Sequence, residues 1–259
     1  MKNKKSLGQH WLKNREILDE IADNAVDGVL VDEGAVQNSA KQGLCLEIGP
    51  GLGTLTSSLL KRFDKVLAVE FDAELARKLP GSFPGKNLEV INVDFLQFDL
   101  SGVSAPYYVA GNIPYYITSP IIEKLLTTKN LPERIVLLVQ KEVAERILSD
   151  RESVLSLLVK NRAKAYPGAV VLRDEFTPPP KVDSQVIILE PHEPLVSDAV
   201  LKFISVGFSS PRKKLIHNLE FLKDKETLMR AFSDLGLDPN VRPADLHLGD
   251  YQRLFESML

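Results

Sequence analysis

The stretch Gly111-Asn112-Ile113-Pro114-Tyr115-Tyr116 puts an amide, a rigid ring and two large aromatics on one turn that follows an apolar run. A turn as such asks only for residues like Gly or Asp; these types suit a ligand. Asn112 offers a side-chain oxygen as acceptor, and Pro114, which restricts the residue before it, frees the Ile113 carbonyl as a second one. Two acceptors converging on one NH₂ group suit a planar amine whose lone pair is delocalised into its ring. Drawing the N–H bonds toward tetrahedral geometry leaves that pair available for attack. Tyr115 or Tyr116 stacks on the ring and holds it in line with an electrophile, a positioning effect that contributes several kcal/mol in favourable cases. No general base is required, because the amine sheds its proton readily once it has become a cation.

The electrophile has a place in the same chain. In "CLEIGPGLGTLT" an apolar strand runs into Glu47, then Gly49, Gly51 and Gly53, and a helix pattern starts at Thr54. Glycines there let backbone approach a ligand while helix amides point at it. The dinucleotide fingerprint needs a glycine at position 54, which is threonine, so hydride transfer loses its specific support. About twenty residues on, Glu70 ends the next strand pattern in "AVEFD", where a carboxylate accepts both hydroxyls of a ribose. Asp94, after the third strand pattern in "INVDFLQFD", faces the same crevice and suits an exocyclic amine such as that of adenine. Glycines, a ribose-type acid and an amine-type acid on successive strand ends describe a pocket for an adenosine-containing cofactor, from which the clamped amine takes a methyl group.

These strand ends need a frame. Short β-rich runs occur at 44–48, 65–70, 88–92, 107–111, 134–139, 168–173 and 184–189, with helix-like segments at 54–62, 73–79, 119–127 and from 141 onward. Alternation of this kind predicts an α/β fold, a Rossmann-like and mostly parallel sheet with helices on both faces. Only a proline-rich loop separates the last two runs, which predicts an antiparallel hairpin at the sheet edge. After Pro191 and Pro194 no strand pattern follows, and residues 196–256 read as about four short helices. The expected division is a cofactor-binding domain over 1–190 and a small all-α domain over 191–259.

Composition narrows the partners. The net charge of −3 excludes a generic, strongly basic polyanion binder, yet Lys2, Lys4, Lys5, Lys13 and Arg15 cluster at one end and Arg212, Lys213 and Lys214 near the other. Such patches grip a phosphate backbone at chosen points. The single cysteine, Cys45, sits in the apolar run "LCLEI" and reads as core in a reducing compartment. No window approaches the ~18 apolar residues of a membrane span, so a cytoplasmic protein without membrane association is expected.

Across nearly its whole length the chain resembles the KsgA-type adenine N6,N6-dimethyltransferases of small-subunit ribosomal RNA. The match is carried by "LGQHWL" (7–12), "EIGPGLGTLT" (47–56), "VEFD" (69–72), Asp94, "GNIPYY" (111–116), "FTPPPKVDSQV" (176–186) and "RKKLIHNL" (212–219). The resemblance implies S-adenosylmethionine as cofactor, bound by Gln9, His10, Leu12, Gly49, Gly51, Glu70, Asp94 and Asn112, and no metal. It implies a catalytic set of Asn112, Pro114, Tyr115 and Phe176, with Tyr115 and Phe176 sandwiching a base taken out of its stack. Three prolines after Phe176 stiffen the loop that would carry it. Arg212, Lys213 and Lys214 would touch RNA. The implied partner is small-subunit ribosomal RNA in an assembling 30S-type particle, and the implied state is a monomer.

The chain departs from the family pattern at Trp11, where Phe is frequent, in the basic segment "SPRKKL", and in a longer stretch over 27–43. Two other classes share features. A DNA adenine methyltransferase has the Asn-x-Pro-Tyr clamp but needs a target-recognition domain, for which about seventy helical residues leave little room. A non-catalytic RNA-binding relative would retain the fold, but intact Asn112, Pro114 and Tyr115 argue against lost chemistry.

Overall fold

A computed structural model describes residues 10–26 and 41–259 of the chain. Gln9, Lys2, Lys4, Lys5 and most of the 27–43 stretch lie outside the described residues. The chain divides into two compact units. One comprises Met1–Ala144 and Ala165–Pro191, the other Glu145–Lys164 and His192–Leu259.

The first unit is built on a sheet of seven strands: β2 (Gln42–Ile48), β3 (Phe63–Glu70), β4 (Leu88–Asn92), β5 (Tyr107–Asn112), β6 (Arg134–Gln140), β7 (Ala163–Val171) and β9 (Ser184–Pro191), in the order β4-β3-β2-β5-β6-β9-β7. Strands β4, β3, β2, β5 and β6 are parallel, and β9 pairs antiparallel with β6. The central strands are apolar runs buried on both faces, as parallel sheets require; in "RIVLLVQ" of β6 every residue but the last is buried. Helices α2 (Thr54–Arg62), α3 (Ala73–Lys78) and α4 (Thr118–Thr127) make the crossovers. Helix α1 (Arg15–Asn24) starts where the Asn14 side chain accepts from the Glu16 and Ile17 amides and is tied to α2 by Arg62, which bridges Asp19 and Asp23. Among the described residues no helix is long and apolar enough to cross a membrane.

Register then places the chemistry. Ile48 lies level with Val69 and with Gly111, Glu70 with Asn92, and Asn112 with Leu138. The C-terminal ends of β2 to β5 therefore finish along one edge, the edge at which ligands enter open α/β sheets. Strand β7 forms the sheet's edge and begins at Ala163, earlier than the run at 168–173 predicts. Its half-exposed pattern and Pro167 hide it in the sequence, and proline is tolerated because the strand is an edge. A separate two-stranded ribbon pairs β1 (Trp11–Leu12) antiparallel with β8 (Phe176–Thr177).

The second unit consists of α6 (Val154–Arg162), the second half of α5 (Lys141–Leu148), and α7 (Asp198–Gly207), α8 (Leu215–Leu219), α9 (Lys225–Asp234) and α10 (Leu248–Glu256). The four helices after 196 are where the sequence pattern places them. A single cut near 191 does not describe the division, because residues 145–164 lie with the helical unit. Leu157 of α6 packs with Phe203, Phe232 and Tyr251, and the buried Tyr251 hydroxyl donates to the Pro243 carbonyl at 2.9 Å. Glu152 is 4% exposed, and its two oxygens accept from Lys160 (2.6 Å) and Ser156 (2.8 Å), with His247 Nδ1 at 3.1 Å.

Candidate active site

A cavity opens at the shared strand edge. It is lined by Glu47 to Gly51 at and beyond the end of β2, Val69 to Phe71 at the end of β3, Asp94 to Leu96 after β4, Asn112 to Ile117 from the last residue of β5 onward, Thr54 and Leu55 of α2, and His10 and Trp11.

The glycine turn is left-handed at Gly49, Gly51 and Gly53, with φ of 65°, 56° and 82°. A side chain at Gly51 would meet the Trp11 indole at 3.2 Å, so the bare backbone lets Trp11 lie against the turn. Gly53 serves packing: a Cβ there would strike Leu79 and Phe83 at 2.7 and 2.8 Å. The Gly51 amide donates to Glu70 Oε2 (3.0 Å) and the Asp72 amide to Glu70 Oε1 (2.8 Å). Burial raises the pKa of Glu70, and these amide bonds oppose the shift. Asp94 organises its own loop, accepting from the Leu96 amide at 2.9 Å. Lys124 of α4 donates to the Leu96 carbonyl at 2.7 Å and lies over the Phe95 ring at 5.6 Å, bracing that loop from behind.

Asn112 follows directly. Its Nδ2 donates to the His10 carbonyl at 3.0 Å, so the oxygen end of the amide remains for another donor. His10 is itself held, its Nδ1–H donating to the Pro178 carbonyl at 2.7 Å, and its ring stacks on Tyr115 with centroids 6.1 Å apart at 17°. The Tyr115 hydroxyl bonds Ser184 Oγ at 2.6 Å, and burial raises the Tyr115 pKa. Tyr116 is 65% exposed at the cavity rim.

The structure thus brings His10, Gly49, Gly51, Glu70, Asp94, Asn112, Pro114 and Tyr115 to one cavity. Leu12 and Phe176 lie apart from that lining. They face each other in the β1–β8 ribbon, 0% and 2% exposed, within the apolar core beneath, and neither lines the cavity. The side chains of a strand alternate between faces, and the pairing turns this pair inward. Trp11, the residue between His10 and Leu12, faces the cavity instead.

Glu47 is the residue that sequence reasoning quoted without giving it a role. It is 1% exposed; Oε2 accepts from Thr56 Oγ1 at 2.6 Å, and Oε1 has no partner among the described residues. Burial first, then the nearby Glu70 charge, push its pKa up to about 8, against the Thr56 bond. The available signal was a charged residue inside an otherwise apolar strand, which is costly unless something meets it.

The family model described as ribosomal RNA adenine dimethylase matches residues 1–258. Ribosomal RNA small subunit methyltransferase A of a Picosynechococcus species is 37% identical, with 96% of this chain and 94% of that protein covered. The protein of the same name from Mycoplasmopsis pulmonis is 35% identical, with 98% of each covered. Among solved structures, a dimethyladenosine transferase from Plasmodium falciparum superposes with a TM-score of 0.75 at 28% identity, covering 95% of this chain and 96% of its own. The 23S rRNA methyltransferase ErmE gives 0.71 at 27% identity, covering 96% and 99%. With a strand-end cavity of this geometry and a match that runs from residue 1 to 258, the chain belongs to the ribosomal RNA adenine dimethylase family.

Proposed function

We propose that the chain transfers methyl groups from S-adenosylmethionine to N6 of two adjacent adenosines near the 3′ end of small-subunit ribosomal RNA, forming dimethyladenosine. The observation that carries this reading is the orientation of Asn112, whose NH₂ end is engaged by the His10 carbonyl and whose oxygen is left for a donor.

The residues present fit the cofactor. Glu47 Oε1, buried and without a partner among the described residues, suits the ammonium group of its amino-acid end. Glu70 at the end of β3 suits the ribose hydroxyls, and Asp94 the adenine amine. Bound there, S-adenosylmethionine supplies an electrophilic methyl on a sulfonium. The protein's part is positioning. Asn112 Oδ1 and the Ile113 carbonyl hold the target amine and leave its lone pair free, and Tyr115 fixes the plane of the base, so that orientation and exclusion of water lower the barrier.

The helical unit is assigned to RNA, with the exposed Arg212, Lys213 and Lys214 meeting phosphates. The enzyme works as a monomer in the cytoplasm on an assembling small subunit. ErmE, a relative in structure, is named for 23S rRNA, so large-subunit RNA is the reading to exclude.

Methyl incorporation is measured with naked small-subunit RNA, assembling small subunits, large-subunit RNA and duplex DNA, and the products are mapped by mass spectrometry. Two adjacent dimethyladenosines in the small-subunit samples alone are expected. Incorporation confined to large-subunit RNA or DNA refutes the substrate. Asn112→Ala lowers turnover about a thousandfold with cofactor affinity nearly unchanged, whereas Glu70→Ala weakens cofactor binding first; the reverse pattern means that their roles are exchanged.

A further inference from the structure

We infer that Ser184 is a positioning residue for the target base, and that the segment 176–186 serves the reaction through Ser184 and Pro178. This rests on the assignment of Tyr115 as the surface on which that base stacks.

Tyr115 stands in a short 3-10 turn, Tyr115–Ile117, that leads into α4 without a side-chain cap. Nothing in such a turn specifies a tyrosine's ring plane, and an unfixed ring must be ordered each time a base arrives. Ordering a free side chain at an interface costs conformational entropy. Here the ring is ordered beforehand from two sides. Its hydroxyl meets Ser184 Oγ at 2.6 Å, and the His10 ring stacks against it at 17°. Both supports lead back to one stretch of chain, since His10 is held by the Pro178 carbonyl at 2.7 Å and Ser184 lies six residues on.

Ser184 is itself rigid. It is fully buried, opens β9, and pairs with Gln140 of β6. The neighbouring Asp183 is fixed at both ends, its carbonyl accepting from the Lys141 amide and its carboxylate from the Arg173 amide, each at 3.0 Å. A buried hydroxyl at the start of a central strand has few partners to choose from, and this one is bonded to Tyr115. The antiparallel strand thereby reaches the clamp at the end of parallel β5, from the other half of the sheet.

The test is a double-mutant cycle with small-subunit RNA as substrate. Tyr115→Phe and Ser184→Ala each lower kcat/KM for RNA about fivefold, the worth of one hydrogen bond, with cofactor Kd unmoved. The double variant also loses about fivefold, not about twenty-five-fold, because both changes remove the same bond. A 2-aminopurine at the target position, quenched when it stacks, is quenched less in each variant and to the same extent. Ser184→Cys, which keeps the volume, gives the same result where Ser184→Ala does not fold. Multiplying losses in the double variant, or unchanged kcat/KM and quenching in both singles, overturns the proposal. Tyr115→Ala separates the two levels. If it cripples transfer while the hydroxyl variants are silent, only the role of Ser184 falls; if it too is silent, the stacking assignment itself fails.

Discussion

Glu47 and Glu152 are both buried carboxyl groups, one in each unit of the molecule, and they are treated in opposite ways. Glu152 has a partner for each oxygen, Lys160 and Ser156 from its own helix region, and its amide reaches the Ala244 carbonyl. Glu47 has one bond, to Thr56, and an oxygen with no partner among the described residues beside a cavity. A completed set of bonds marks a carboxylate that the fold uses for itself. An incomplete one, at 1% exposure, marks a group whose partner arrives from outside. Glu70 stands between them, satisfied by two backbone amides yet on the cavity wall, so it is both a brace for the glycine turn and a ligand acceptor.

The largest test of that contrast is pH. Glu47 has its pKa raised from 4.5 to about 8 in the folded protein, so its stabilising, neutral form is fully present below pH 4.5 and lost as pH rises toward 8. Denaturant unfolding without cofactor should show stability declining across that window by a few kcal/mol, and Glu47→Gln should remove the decline. An equal slope in both proteins would mean that Glu47 is charged and paired. Next comes Glu152→Ala, which takes the carboxylate acceptor from Lys160 and Ser156 and leaves them only the Ser149 and Ser153 carbonyls. A loss of about 2–3 kcal/mol is expected, with cofactor Kd unchanged. A change in cofactor affinity without destabilisation would place Glu152 with the ligand-binding carboxylates. Glu47→Gln should weaken the cofactor about tenfold near pH 8, equivalent to one charge-assisted bond, and less at lower pH, where the wild-type carboxyl is already protonated. Titration calorimetry at two pH values reads this directly. The smallest effect concerns charges that are not buried at all. Replacing Arg212, Lys213 and Lys214 with Ala should raise the RNA KM severalfold and flatten its salt dependence by about two to three in log–log slope. An unchanged slope removes that patch from the RNA surface.

Much of the site was legible because its residues sit one step past recognisable strands. Gly49, Gly51, Glu70, Asp94 and Asn112 each follow an apolar run, and parallel pairing aligns such ends without further information. That Leu12 and Phe176 turn into the core was not legible, for the opposite reason. They belong to strands of two residues, too short for a period to show which face is inward. Trp11 and Glu47 were visible as an aromatic exchange and an acid in an apolar run, but which way each faces is not written locally. The segment 145–164 reads as helix, and nothing in its own pattern says that it packs with chain from beyond residue 191.

What the sequence determined alone is the order of elements and the chemistry at their ends, since apolar periodicity and glycine placement act over a few neighbouring residues. Only the tertiary structure decided that the His10 carbonyl turns the Asn112 amide, that Ser184 meets Tyr115, and that one oxygen of Glu47 has no partner among the described residues. Those facts depend on groups up to 102 residues apart brought within 3.0 Å, a distance at which hydrogen bonds form and about which the local pattern carries no information.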